Sequence, residues 1–133
     1  MSSESGAAGV RCSPASILVI DDDDTLRVVL ARVLAREGYE VLVAEDGSRG
    51  IQVFHDNPTV SLVVLDWKMP GMTGDEVLDW LHAARPDLKV VVSSACLPAE
   101  VAERFAGRRV TEFIQKPFAA RIFVERVRSI LAA

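Results

Sequence analysis

Short uninterrupted apolar runs alternate along this chain with longer stretches in which apolar residues recur every three or four positions. Ile17-Leu-Val-Ile20, Leu62-Val-Val-Leu65 and Val90-Val-Val92 are the runs. Without polar alternation they predict strands covered on both faces. Leu26, Val29, Leu30, Val33 and Leu34 follow the i, i+3, i+4, i+7, i+8 spacing of one apolar helix face. Asp24 is the expected N-cap of that helix and Gly38 its end. Glu40 to Ala44 predicts a strand, and Asp46-Gly47 a turn into a helix with Ile51 and Phe54 on one side, broken at Asn57-Pro58. After the Leu62 run comes a helix from about Gly74 to Ala84 carrying Val77, Leu78 and Leu81, then a turn at Arg85-Pro86-Asp87. A helix from about Pro98 to Phe105 ends at Gly107, Val110 to Ile114 is the last strand, and Phe123, Val127 and Ile130 turn the final helix onto the sheet. Strand and helix therefore alternate five times, which predicts a parallel sheet with helices on both faces.

Composition narrows the function more than the fold. At 133 residues the chain is long enough for one domain with a sizeable core. Its net charge of −4 gives no electrostatic reason to bind nucleic acid or an anionic membrane surface. No apolar run reaches the length of a membrane span, so no membrane insertion is expected. Cys12 and Cys96 show no metal-ligand or redox spacing, and a reduced, cytoplasmic setting is the simpler reading. Residues 1–15 are small and polar, as in a flexible arm or linker remnant; residues 16–133 form the expected domain.

The chemistry gathers where strands end. Asp66 stops the Leu62 run and is followed at once by a turn rich in Pro70, Gly71 and Gly74. Asp21-Asp22 end the first run, Ser94 follows the third, and Lys116 follows the last strand. A parallel sheet delivers all its carboxyl ends to one edge, where ligands of open α/β sheets bind. Converging carboxylates repel unless a cation neutralises them. Oxygen ligands without His or Cys favour a hard ion, and few carboxylates plus water suit Mg²⁺. A lysine and a hydroxyl in the same crevice would meet the needs of a transferring phosphoryl group, with Asp66 as the attacking carboxylate.

From Ile17 to Ala132 the sequence resembles the receiver domains of two-component response regulators. The matching residues are Asp21-Asp22, Asp66 within Leu-Asp-Trp-Lys-Met-Pro-Gly-Met-Thr-Gly, Ser94-Ala95 and Lys116-Pro117. The resemblance implies a flavodoxin-like (βα)5 fold with strand order 2-1-3-4-5. It implies that Asp66 accepts a phosphoryl group from a phosphohistidine on a sensor histidine kinase or histidine phosphotransfer protein. Asp22 and Asp66 would hold Mg²⁺ directly, Asp21 through water, and the Lys68 main-chain carbonyl would complete the protein ligands. Ser94 and Lys116 would contact phosphoryl oxygens. Phe113, three residues before Lys116, falls where the family carries its switch aromatic. It would turn into space vacated by Ser94, changing the surface of the last two helices and last strand for a downstream protein. Such a domain is a signalling phosphoacceptor that catalyses only its own phosphorylation and dephosphorylation. The stretch Glu103 to Phe118 resembles receivers at the carboxyl end of hybrid sensor kinases, with residues 1–15 as the linker remnant.

Plainer readings apply residue by residue. One of Asp23 and Asp24 caps the helix and the other favours its dipole; Phe113 is expected to be partly core, Cys96 to pack, and His55 and His82 to lie on the surface. Lys68, a cation two residues after Asp66, is expected to alter the lifetime of a phosphorylated Asp66. One rival is a haloacid-dehalogenase-like phosphatase, whose signature Asp21-x-Asp23-x-Thr25 matches, with Asp21 as nucleophile and Asp23 as general acid. No acidic pair after Lys116 supplies its metal site, and it leaves the Asp66 stretch unexplained. The other rival is a receiver used only for docking.

Overall fold

A computed structural model describes residues 15–132; the expected arm lies almost wholly outside them. The strands are β1 (Ser16–Ile20), β2 (Glu40–Ala44), β3 (Val60–Asp66), β4 (Lys89–Ser94) and β5 (Glu112–Gln115). The helices are α1 (Asp24–Arg36), α2 (Gly47–Asp56), α3 (Gly74–Ala84), α4 (Pro98–Arg104) and α5 (Ala120–Ala132). All pairings are parallel and the sheet order is β2-β1-β3-β4-β5. This is the expected doubly wound (βα)5 fold, flavodoxin-like with order 2-1-3-4-5.

Side chains alternate across a strand, so each central run feeds two cores. Ile17, Val19, Leu62, Val64 and Val91 pack with Leu30 and Leu34 of α1 and Phe123 and Val127 of α5. Leu18, Ile20, Val63, Leu65, Val90 and Val92 pack on the opposite face with Phe54 of α2, Val77, Leu78 and Leu81 of α3, and Val101 of α4. Runs apolar at every position are thereby explained: β1 and β3 have no solvent face.

Several local expectations shift. Asp23, not Asp24, is the N-cap of α1: its backbone is extended and its Oδ1 accepts from the Leu26 N–H at 3.0 Å. Asp24 sits in the first turn and pairs with Arg27 at 2.5 Å. Val29 is 42% exposed rather than part of the core, because it borders an open cleft that also touches Lys116, Pro117 and Phe118. The last strand begins at Glu112 instead of Val110: the Thr111 N–H still donates to the Val90 carbonyl at 2.9 Å, but the Val90 N–H goes to Thr111 Oγ1, also at 2.9 Å, in place of a backbone carbonyl. Phe113 is 42% exposed rather than partly core: α4 has seven residues and leaves its side of β5 thinly covered. His82 is half-buried, with Nε2 3.0 Å from the Leu88 carbonyl, whereas His55 is exposed as expected.

Candidate functional site at the carboxyl edge

Strand β3 places Asp66 at the carboxyl edge of the sheet, and the turn after it is fixed by a close backbone approach. The Gly74 N–H donates to the Trp67 carbonyl at 2.6 Å. A Cβ at Gly74 would lie 2.5 Å from the Asp66 carbonyl oxygen and 2.8 Å from Trp67 Cα. Only a residue without a side chain lets the start of α3 lie this near the end of β3. Gly71, at φ +81, supplies the left-handed step of the same turn.

Asp21, from the end of β1, and Lys116, from the loop after β5, converge on Asp66. The Lys116 ammonium lies 3.0 Å from Asp21 Oδ2 and 3.3 Å from Asp66 Oδ1. Asp21 Oδ1 accepts the Asp23 N–H at 2.9 Å, so both of its carboxylate oxygens are engaged. Asp21 and Asp66 are buried, while Asp22 is exposed. Asp21, Asp22 and Asp66 each offer one oxygen, and those atoms lie within 4.8 Å of one another. An all-oxygen set of three carboxylates fits a hard divalent ion and offers nothing to a thiolate- or imidazole-seeking one.

The crowding is visible in protonation. Burial first, then the Asp21 charge, pushes the Asp66 carboxyl up to about 7, against the opposing pull of Lys116. For Lys116, burial favours the neutral amine, but the hydrogen bond to Asp21 and the charges of Asp66 and Asp21 outweigh it and hold the ammonium above its usual range.

Ser94 stands at the end of β4 with its Oγ accepting the Cys96 N–H at 2.9 Å, which leaves the hydroxyl proton free to be donated. It lines a cavity of about 310 Å³ between α4 and β5, together with Cys96, Val101 and Phe113. Ser94 thus faces the α4 side, while Asp21, Asp66 and Lys116 form a joined cluster. Cys96 is half-buried against the apolar core on that side, as expected of a packing residue. Lys68 is exposed, its ammonium 5.0 Å from the centre of the Trp67 ring. The sequence pattern assigns no role to Trp67 or Asp75; both are buried, and the Trp67 indole N–H donates to Asp75 Oδ1 at 3.2 Å. The signal was there in Trp67 following Asp66 directly, which extends the buried run past the carboxylate.

An acidic trio and a lysine gather at the carboxyl edge of a doubly wound sheet, the edge where open α/β sheets bind their ligands. The chain belongs to the response regulator receiver domain family, which it matches over residues 17–128. It is 37% identical over 120 residues to the response regulator MprA of a Mycobacterium species, covering 89% of this chain and 51% of that protein. It is 33% identical over 116 residues to the response regulator RR06 of Streptococcus pneumoniae, covering 87% of this chain and 52% of that protein. The chain therefore spans about half the length of these curated relatives. Among solved structures, a CheY-like receiver domain protein from Methanospirillum hungatei superposes with a TM-score of 0.83 at 28% identity, covering 90% of this chain and 95% of that one.

The phosphatase alternative is not favoured. Asp23, its required acid, is committed to capping α1, and Asp21, its required nucleophile, has both oxygens engaged. No helix among the described residues is long and apolar enough to cross a membrane.

Proposed function

We propose that this domain is the phosphoacceptor of a two-component phosphorelay and that Asp66 is the residue modified. The observation that carries the reading is the Asp66 carboxylate held at the end of β3 within reach of Lys116 and the Asp21-Asp22 pair. Asp22, Asp66 and the Lys68 main-chain carbonyl are the proposed Mg²⁺ ligands, with Asp21 acting through water; the prior engagement of both Asp21 oxygens supports its indirect role. Bound Mg²⁺ would supply the positive charge that offsets the carboxylates and the phosphoryl oxygens.

The chain's own residues do the rest. An Asp66 oxygen bonds to phosphorus as the donor's P–N bond breaks; the leaving imidazole keeps the electron pair and takes up a proton. Lys116, already 3.3 Å from Asp66, pairs with a phosphoryl oxygen as charge builds there. Ser94 donates its free hydroxyl proton to another, which draws it away from the cavity it now lines. Phe113 then turns from its exposed position toward that cavity, and the α4-β5-α5 surface changes. Beyond this one acyl-phosphate, formed on itself and lost from itself, no further catalysis is proposed.

The partners on this reading are a sensor histidine kinase or histidine phosphotransfer protein, and a downstream protein docking on α4-β5-α5. The acidic net charge supports protein contacts over nucleic-acid contacts for this domain. A free thiol at Cys96 supports a reducing, cytoplasmic setting. Placement at the carboxyl end of a hybrid sensor kinase is a second arrangement, resting on the Glu103 to Phe118 stretch. Calorimetric titration tests the site: wild type binds one Mg²⁺, and Asp22→Ala and Asp66→Asn each abolish binding. Binding that survives both substitutions would remove the proposal.

A further inference from the structure

Asp75 is a buried carboxylate that the phosphoacceptor chemistry does not use. It lies 4% exposed in the first turn of α3, where an acidic residue usually serves as a cap or favours the dipole. Capping is already done by its neighbour: Glu76 accepts the Thr73 N–H at 2.9 Å and the Thr73 hydroxyl at 3.1 Å. Asp75 instead turns to two other elements. Its Oδ1 accepts the Trp67 indole N–H at 3.2 Å, and its Oδ2 faces the Arg104 guanidinium of α4 at 3.7 Å. Arg104 also lies 5.9 Å from the Trp67 ring centre, so indole, carboxylate and guanidinium form a closed triangle.

The triangle ties the residue after Asp66 to the last turn of α4. Phe105, which ends that helix, meets the Trp67 ring edge-on at 6.2 Å and the Phe113 ring edge-on at 5.7 Å. Helix α4 otherwise has little to hold it, since Val101 is the only buried residue among its seven. A short helix with one buried side chain is the kind of element that shifts at small cost. The same end has one further tie, at the surface: Arg108 donates to both Asp79 oxygens at 2.9 and 3.0 Å and to the Arg104 carbonyl at 2.8 Å.

We infer that Asp75 is a positioning residue whose clasp on Trp67 and Arg104 holds α4 in its resting place, by a route separate from Ser94. The inference rests on the receiver reading above. In this structure Phe113 is exposed and the cavity beneath it is open, so the clasp belongs to the unmodified arrangement. Linkage then fixes the sign. A contact present only in the resting state opposes whatever favours the other state, and removing it must tighten binding of a phosphoryl mimic at Asp66.

The test uses beryllofluoride with saturating Mg²⁺, followed by Trp67 fluorescence in a Trp80→Phe background that silences the exposed second tryptophan. Arg104→Gln, a change at an exposed side chain, lowers the half-saturating beryllofluoride concentration about fivefold. Asp75→Asn, which keeps an acceptor for the indole but loses the charge, moves it in the same direction. Arg128→Gln breaks an exposed ion pair with Glu37 at the end of α1, touches neither α4 nor Trp67, and leaves it within about twofold. Unchanged or weaker binding in Arg104→Gln and Asp75→Asn, or an equal gain in Arg128→Gln, overturns the clasp. A background protein that gives no beryllofluoride response at all overturns the receiver reading, and the clasp with it.

Discussion

At the ends of β1 and β3, Ile20, Leu65, Asp21 and Asp66 all lie at 6% exposure or less. At the corner between α4 and β5, a seven-residue helix buries one side chain, Phe113 is 42% exposed, and a cavity of about 310 Å³ separates the two elements. The first region is packed on both faces and joined by ion pairs; the second has slack in it. The difference matches two physical demands. A phosphoryl-accepting carboxylate needs fixed geometry, whereas an output surface needs two arrangements of similar free energy.

Truncation breaks the comparison most sharply. Leu65→Ala should cost about 3–4 kcal/mol of unfolding free energy and Val101→Ala only about 1–2 kcal/mol, measured by urea denaturation. Equal costs would mean that the corner is packed as tightly as the centre. Gly74→Ala comes next, at about 2–3 kcal/mol, because its Cβ must displace the Asp66 carbonyl. The same substitution should weaken Mg²⁺ binding; a destabilised variant with normal binding would show that the turn does not position the site.

Asp66→Asn acts in the opposite direction. With divalent ions removed, it should stabilise the fold by about 1–2 kcal/mol at pH 8 by relieving the carboxylate cluster. The folded Asp66 carboxyl, at about 7, lies above its ordinary 3.8, so ionisation is penalised in the fold. Its destabilising effect is absent below the ordinary carboxylate range, grows as pH rises from there, and is complete above about 7. The advantage of Asp66→Asn should therefore shrink on acidification from pH 8 to pH 5, and adding Mg²⁺ should favour the wild type alone. Thermal melts across that range check both signs. The smallest effect is expected at Lys68: Lys68→Ala should shorten the lifetime of phosphorylated Asp66 about threefold, by removing a cation that shields it. An unchanged dephosphorylation rate would dispose of that role.

The fold was legible because its central strands carry the unbroken apolar runs Ile17–Ile20, Leu62–Leu65 and Val90–Val92, which a sheet covered on both faces explains. The convergence of Asp21, Asp66 and Lys116 followed from parallel topology alone. What escaped depended on choices among equivalents or on contacts between distant elements. Four consecutive aspartates gave no reason to prefer Asp23 over Asp24 as the cap; the backbone decided by turning helical at Asp24. Thr111 shortened β5 by satisfying Val90 with its hydroxyl, which periodicity does not register. The exposure of Val29 and Phe113 reflects where coverage runs out, a property of their neighbours. Asp75 looked like one more acidic residue in a helix's first turn, and its partners Trp67 and Arg104 stand 8 and 29 positions away.

The central claim is that Asp66 itself carries the phosphoryl group. Treating the wild type and Asp66→Asn with a small phosphodonor and Mg²⁺, then locating the added mass by peptide mass spectrometry, tests it directly. The account predicts one labile phosphoryl on the peptide containing Asp66, absent without Mg²⁺ and absent from the variant. A phosphoryl on Asp21, or an equal adduct in Asp66→Asn, would contradict it.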